Sequence, residues 1–546
     1  MSSSKAGNPT SFDWQVAYLH PRAPIFASNI VATSQPLAAQ AGLQILQRGG
    51  NAIDAAIAAA AAITVVEPVS NGLGSDAFAI LWDGKQLHGL NASGRSPEAW
   101  NPDYFSKKHN GVMPERGVDS ITVPGAVSAW GAMHEKFGRL PLGDILEPAI
   151  ELAEKGYAVS PTVQRKWASQ APLLKDQPGY REVFMPRNRA PNVGERMTMP
   201  GAARTLQAIA EQGTAAFYQG DISEKLCRYV QEHGGALTFK DLANHSVEWC
   251  GTLAQEYRGY ELHEIPPNGQ GIAALMALGM LQHFELDSLH PDSVEVRHLQ
   301  IEVMKAAFAD VYDYVADPAA MQSPSVTAED LLDANYLKQR AASIKPDKAT
   351  LFSSGAAPSG GTIYLTAADS EGRMVSYIQS NYMGFGSGVV VPELGISLQN
   401  RGSGFCMDDK HPNQVAPLKR PFHTIIPGFL MRQGQPQMSF GVMGGNMQPQ
   451  GHMQTVSRMV DHGQNPQAAC DAPRWRVHKG LTIDLETQME TSVVDALKSR
   501  GHDITPVTDS YMDFGAGQFI WRLGDSLDAG YVAASDSRRD GHAACF

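Results

Sequence analysis

The chain has 546 residues, 43% of them hydrophobic and 18% charged, with a formal net charge of −12. This balance fits a folded, enzyme-sized body and argues against a disordered chain. With no Lys/Arg run, it also lacks the electrostatic footprint of a nucleic-acid binder. Five cysteines, never spaced as C-x-x-C, argue against a disulfide framework and a structural zinc site. Together with a start, Met1 to Arg22, that has no signal-like apolar core, they predict a soluble protein of the cytoplasm.

In chain order, the first clear element opens at Asn51, a good N-cap after Gly49-Gly50. The alanine-rich run that follows, to Val66, predicts a helix buried on every side. It is too short to span a bilayer. Glu67-Pro68 ends it, Asn71 to Asp76 reads as a turn, and Ala77 to Trp82 as a strand. Helical apolar spacing then recurs at Ala126–Phe137, Leu142–Lys155, Ala203–Gln212, Ile222–Glu232 and Val294–Ala316. From Thr362 onward the pattern turns to short strands with Gly and Pro turns, with helical pieces near 450–463 and 492–500. Helices first and strands later, without a true linker, predict one α+β body.

The change of pattern falls at Gly360-Gly361-Thr362, after the small-polar stretch Ser353 to Ser359. Ile363–Ala368, the turn Asp369–Gly372 and Met374–Ile378 form a hairpin that Thr362 begins. Such a stretch can be a plain loop. It can also be a processing site. A cut before Thr362 would leave a hydroxyl beside its own free amine, and an adjacent amine is one way to activate a threonine nucleophile. That amine has a reference pKa of roughly 7.7–8.0, so it can accept a proton near neutral pH.

Gly444-Gly445 can present two backbone N–H groups to a developing oxyanion, or simply make a strand-to-helix turn. Phe385-Gly386-Ser387-Gly388 is no dinucleotide fingerprint, and neither a P-loop nor a G-x-S-x-G elbow is present. Seventeen histidines include no H-E-x-x-H and no cluster at ligand spacing. His423 and His452 read as surface or supporting residues, and Met443, Met447 and Met453 as packing. No metal and no cofactor is expected.

Taken in order, Gly49 to Ala56, Val123-Pro124-Gly125, Gly361-Thr362, Phe385 to Gly388, Gly444-Gly445 and Asp471-Ala472-Pro473-Arg474 resemble the γ-glutamyltransferase (glutathione hydrolase) family of N-terminal-nucleophile hydrolases. The likeness runs from about Ile30 to Trp521. Ser380 to Gly386, Asn400-Arg401-Gly402 and Gly444 to Gln450 look like its unsecreted bacterial glutathione hydrolase-like branch. The resemblance implies a four-layer αββα sandwich made as a precursor. It implies self-cleavage between Gly361 and Thr362 into associated segments, a helix-rich 1–361 and 362–546. Thr362 would then form an acyl-enzyme with a small amide, γ-glutamyl or related, and pass it to water or an amine. Gly444 and Gly445 would hold the oxyanion, and Ser380 stands where the family keeps a Thr hydroxyl that orients the nucleophile. A homodimer is compatible with this expectation; a membrane or nucleic-acid partner is not.

The substrate clamp departs from that pattern. Aligned on Pro97, the carboxylate-gripping arginine of secreted members is Ser93, and Arg95 either takes its place or is a surface residue. The family's Asp-Asp-Phe is Ser403-Gly404-Phe405, its Ser-Ser pair is His423-Thr424, and a substrate-contacting Asn is Tyr382. Arg95, Tyr382, Arg401, His423 and Thr424 are thus the candidate substrate-binding residues. An acylase or amidase for a glutaryl- or oxamate-type group is the alternative. An unprocessed binding module and a hydrolase using Cys406 are further alternatives.

Overall fold

A computed structural model describes residues 22–322, 326–352, 361–508 and 514–546. Ser353 to Gly360, the small-polar stretch before the proposed junction, lies outside the described residues.

Two seven-stranded sheets stack face to face. The first runs His542–Cys545, Ile30–Thr33, Gly361–Ala368, Met374–Tyr382, Asp76–Trp82, Leu87–Asn91, Glu248–Trp249. The second runs Ile25–Ala27, Tyr531–Ser535, Gly517–Arg522, Gln435–Val442, Gly428–Arg432, Tyr260–Glu264, Leu253–Tyr257. Every pairing within both sheets is antiparallel.

Alternation along the strands builds three apolar layers. Ile30, Phe78, Ile80, Tyr364 and Ile378 meet Phe429, Met431 and Ile520 between the sheets. The opposite faces, with Val31, Ala79, Leu365 and Val375, pack under helices Pro36–Gln47, Ala52–Val66, Ala126–Phe137 and Leu142–Lys155. On the far side, Leu430, Phe440 and Phe519 pack under helices Ile272–Leu281, Val294–Tyr314 and Met447–Val460. The order helix, sheet, sheet, helix is the four-layer αββα sandwich. Among the described residues no helix is long and apolar enough to cross a membrane.

The buried helix starts as its sequence predicts. Asn51 and Asp54 form a reciprocal capping box, and every residue from Ala52 to Val66 is buried. Close approach between the sheets is set by Gly441, where a Cβ would lie 2.5 Å from the Tyr364 ring. The expected split into helical and strand-rich segments is only partly kept. Both sheets interleave strands from before and after residue 361, because short strands such as Leu87–Asn91 and Tyr260–Glu264 escaped the periodicity reading. Gly361–Ala368 is itself flanked by Ile30–Thr33 and Met374–Tyr382.

Candidate active site

Thr362 lies at the start of a central strand, and its neighbours Tyr364 and Thr366 point between the sheets. The register with the partner strand shifts at this point, pairing Gly361 with Tyr382 and Ile363 with Gln379. Thr362 therefore stands opposite a two-residue bulge, Ser380-Asn381, a device that re-aims side chains. Thr362 is 3% exposed, and its hydroxyl lies 3.3 Å from Ser380 Oγ. Ser380 Oγ also accepts the Tyr382 N–H at 2.8 Å. Tyr382 reaches that position with φ +78, an unfavourable conformation for a bulky residue.

Gly444 and Gly445 turn the chain from strand Gln435–Val442 into helix Met447–Val460, with φ +118 and +59. Their carbonyls are used: Met447 N–H donates to the first, Gln448 N–H and Gln270 Nε2 to the second. Among the described residues neither glycine's N–H has an acceptor. Two free donors at a helix N-terminus suit a developing negative charge.

A run of contacts ties this turn to Thr362. Gln270 bridges the carbonyls of Gly445 and Thr424. Thr424 Oγ1 accepts from Arg401 Nη1 at 2.8 Å, and the Arg401 guanidinium lies 4.7 Å from the centre of the Tyr382 ring. Tyr382 then returns to Ser380 and Thr362. Arg401 is 1% exposed. Burial lowers its pKa to about 10, against the pull of Asp76 and Tyr382.

Asp76 pairs with Ser380 across the sheet and is wholly buried. Gly94 N–H donates to its Oδ1 at 3.2 Å, and His423 Nε2 lies 3.2 Å from its Oδ2. Burial pushes this carboxyl up to about 7, opposed by Arg401, Arg420 and the N–H groups of Gly94 and Gly125. His423 is held neutral by burial, with Arg401 and Arg420 acting the same way.

Thr362, Ser380, Tyr382, Arg401 and Thr424 thus come together, and Gly445 joins through Gln270. Two expectations change. Arg95 turns to Asp317 Oδ2 at 3.3 Å and the Leu418 carbonyl at 3.2 Å, with its side chain 45% exposed, so it has no contact with this group among the described residues. Ser93, at the aligned position, is buried against Asn91 and Asn268. His423 is not at the surface. Its Nε2 faces Asp76 and its Nδ1 accepts the Ile425 N–H, which leaves it supporting Asp76 instead of touching a ligand. His452 is likewise fully buried, against Glu264 at 2.6 Å.

Asp76 and Gln270 escaped the sequence reading. An acid opening the otherwise apolar run Asp76 to Trp82 was the available sign for the first; nothing local marked the second. The sequence also hid a cluster of His298, Glu302 and His502, whose ligand-type atoms lie within 4.8 Å of one another. Lys305 Nζ sits 2.6 Å from Glu302 Oε1 and already neutralises it. Next to Cys406, His411 meets the Tyr312 carbonyl at Nε2 and the Asn413 N–H at Nδ1, and its interaction with the Cys406 thiol, ahead of burial, raises its pKa.

The γ-glutamyltranspeptidase family profile matches residues 38–546. The chain belongs to the γ-glutamyltranspeptidase family. It is therefore an enzyme, a hydrolase or acyltransferase of the N-terminal-nucleophile type. It is 37% identical to the glutathione hydrolase-like YwrD proenzyme of Bacillus subtilis, over 89% of this chain and 93% of that one. It is 34% identical to the oxamate amidohydrolase proenzyme of Klebsiella pneumoniae, over 93% and 97% of the two chains. Among solved structures, a cephalosporin acylase from Bacillus halodurans is 47% identical and superposes with a TM-score of 0.93, over 98% of this chain and 99% of that one. Similarity to members with differently named substrates puts the weight on the pocket of this family member, not on its fold.

Proposed function

We propose that this member of the family is a self-processing amidohydrolase whose nucleophile is Thr362. The observation that carries the reading is the placement of the Thr362 hydroxyl on a buried strand, 3.3 Å from Ser380 Oγ and opposite a bulge. In the precursor the hydroxyl oxygen attacks the Gly361 carbonyl carbon. The peptide C–N bond breaks, the nitrogen keeps its hydrogen and takes the hydroxyl proton to become the new α-amine, and the acyl group moves to oxygen. Water then cleaves that ester, giving chains 1–361 and 362–546. Interleaving of strands from both segments in each sheet keeps the two chains together.

In the mature enzyme the same oxygen attacks a substrate amide while the α-amine takes its proton and passes it to the leaving amine. The N–H groups of Gly444 and Gly445 stabilise the oxyanion, and Ser380 orients the hydroxyl. Water, or an amine in transfer, resolves the acyl-enzyme. The substrate is a small amide, γ-glutamyl or one with a related acyl group. Five free cysteines favour a cytoplasmic setting.

Intact-mass analysis of freshly purified protein tests the reading. Two species meeting at Gly361/Thr362 are expected. A single 58.9 kDa chain that stays whole on prolonged incubation overturns it.

A further inference from the structure

A guanidinium carries five N–H donors in a planar fork. In Arg401, Nη1 is held by Thr424 Oγ1, but neither Nε nor Nη2 meets an acceptor among the described residues, although the side chain is buried. These two nitrogens share one edge of the plane. Their N–H groups point the same way, at the spacing of the two oxygens of one carboxylate. A buried donor without a partner is unfavourable in a folded protein, and a fork of them on one edge has the shape of a ligand site. The nearby protein acid does not fill it. Asp76 makes no ion pair with Arg401 within 4.0 Å, and its oxygens already receive the Gly94 N–H and face His423 Nε2.

The fork also lies near the proposed chemistry. Arg401 stacks on the ring of Tyr382, the residue paired with Gly361, whose N–H meets the Ser380 oxygen next to Thr362. We propose that Arg401 is the carboxylate anchor of the acyl subsite, and that the preferred substrates are half-amides of dicarboxylic acids with no ammonium beside that carboxylate.

The second half of the proposal follows from what surrounds Arg401. Ser403 turns its hydroxyl to the Asn400 carbonyl at 2.7 Å, and Gly404 has no side chain. Asp76 is engaged on both oxygens, and burial leaves it only partly ionised near neutral pH. Glu115, the other acid that acts on Tyr382, is exposed to water. An ammonium next to the anchored carboxylate would meet Arg401 with no full counter-charge, which is repulsive in a dry pocket.

The proposal rests on Thr362 as the nucleophile. In the reaction water adds across the amide: the C–N bond breaks, hydroxide ends on the acyl carbon to give a dicarboxylic acid, and the amine leaves with the proton.

The test compares p-nitroanilides of three acyl groups of equal length on processed enzyme. Glutaryl has the carboxylate, γ-glutamyl adds the ammonium, and pentanoyl has neither. Oxamate against acetamide, read by ammonia release, covers a short acyl chain. A carboxylate preference of about 100-fold in kcat/KM is expected in at least one series, with glutaryl ahead of γ-glutamyl. No carboxylate preference in either series, no hydrolysis of any of the five compounds, or γ-glutamyl ahead of glutaryl overturns the proposal while leaving the processing reading intact. A chain that never cleaves overturns both. Arg401→Gln should collapse the carboxylate-to-neutral ratio at least tenfold, and Arg401→Lys, which keeps the charge without the fork, should raise KM for the anionic substrate more than it lowers kcat. If neither variant folds, the wild-type series decides.

Discussion

Two buried arginine clusters in this molecule look alike in composition and differ in completeness. Near the chain end, Arg474 and Arg538 meet Asp536 and Glu486. Arg538 donates from Nε and Nη2 to the two oxygens of Glu486, both at 2.7 Å, and Arg474 Nη2 donates to Asp536 at 2.8 Å. The Cys470, Ala472 and Phe514 carbonyls take donors from the same pair. The whole cluster is satisfied, and Asp536 is held well below its usual range, the pull of the two arginines and the N–H groups of Gly517 and Arg538 outweighing burial. Around Arg401 the opposite holds: among the described residues two donors lack acceptors, and Asp76 is pushed upward. A complete network stabilises the fold; an incomplete one of the same chemistry is arranged for something that arrives later.

The sharpest way to break this comparison is at Thr362. Thr362→Ala should remain a single chain and lose all measurable amide hydrolysis, with a melting temperature close to that of an uncleaved wild-type sample. Residual activity at about one part in a thousand or more, above a mock preparation, would move the nucleophile elsewhere. Arg538→Met should do the reverse. It leaves Glu486 and Asp536 buried and short of a partner, which typically costs about 3–5 kcal/mol. Urea melts should show that loss while kcat per folded molecule stays within about twofold. A stability change under about 1 kcal/mol would mean the completed cluster does not act as an anchor.

The same contrast explains what the sequence could reveal. Asn51, the alanine run and the helices at Ala126 and Leu142 were legible because caps and periodicity act locally. The ordered motifs carried the αββα fold, and they, more than the Gly-Gly-Thr step that locally reads equally as a loop, single out Thr362 as the candidate nucleophile. The clamp was not legible in the same way. Arg95 stands beside the aligned position, yet Asp317, more than two hundred residues away, draws it outward. Arg401 is a candidate in sequence only through the likeness of Asn400-Arg401-Gly402 to the family branch; the packing of Thr424 and Tyr382 onto it shows which of its donors lack an acceptor among the described residues. Asp76 read as the end of a turn because nothing local indicates that His423 and Gly94 will meet it.

Ser380 offers a smaller, more local test. Ser380→Ala removes the oxygen beside Thr362 and the acceptor of the Tyr382 N–H, so both precursor cleavage and turnover should slow about 10–100-fold. Ser380→Thr, which restores a hydroxyl, should recover most of that rate. Equal slowing by both variants would assign the effect to packing, not to the hydroxyl.

The smallest effect expected is a pH dependence that sets Asp76 against Asp536. Asp76 titrates near 7 in the folded protein and near its ordinary 3.8 in the unfolded chain. The folded state therefore holds this proton to higher pH, so the stability linked to Asp76 is full below about pH 4 and is lost as pH rises toward 7. Asp536 is shifted the other way, so its contribution is present above its ordinary value and fades only as pH falls below it. Between pH 5 and 8 only Asp76 of the two should act. Buried histidines such as His502 add a slope of the opposite sign over part of that range and are common to wild type and variant, and His423, which touches Asp76, is held neutral by burial, Arg401 and Arg420, all of which the variant keeps. The difference between Asp76→Asn and wild type isolates the carboxyl. That difference should favour the variant by an amount that grows on the order of 1–3 kcal/mol from pH 5 to pH 8 in denaturant melts. A difference that stays constant across this range would mean that Asp76 keeps an ordinary carboxylate's charge beside Arg401. The ammonium of a γ-glutamyl substrate would then have a counter-ion after all.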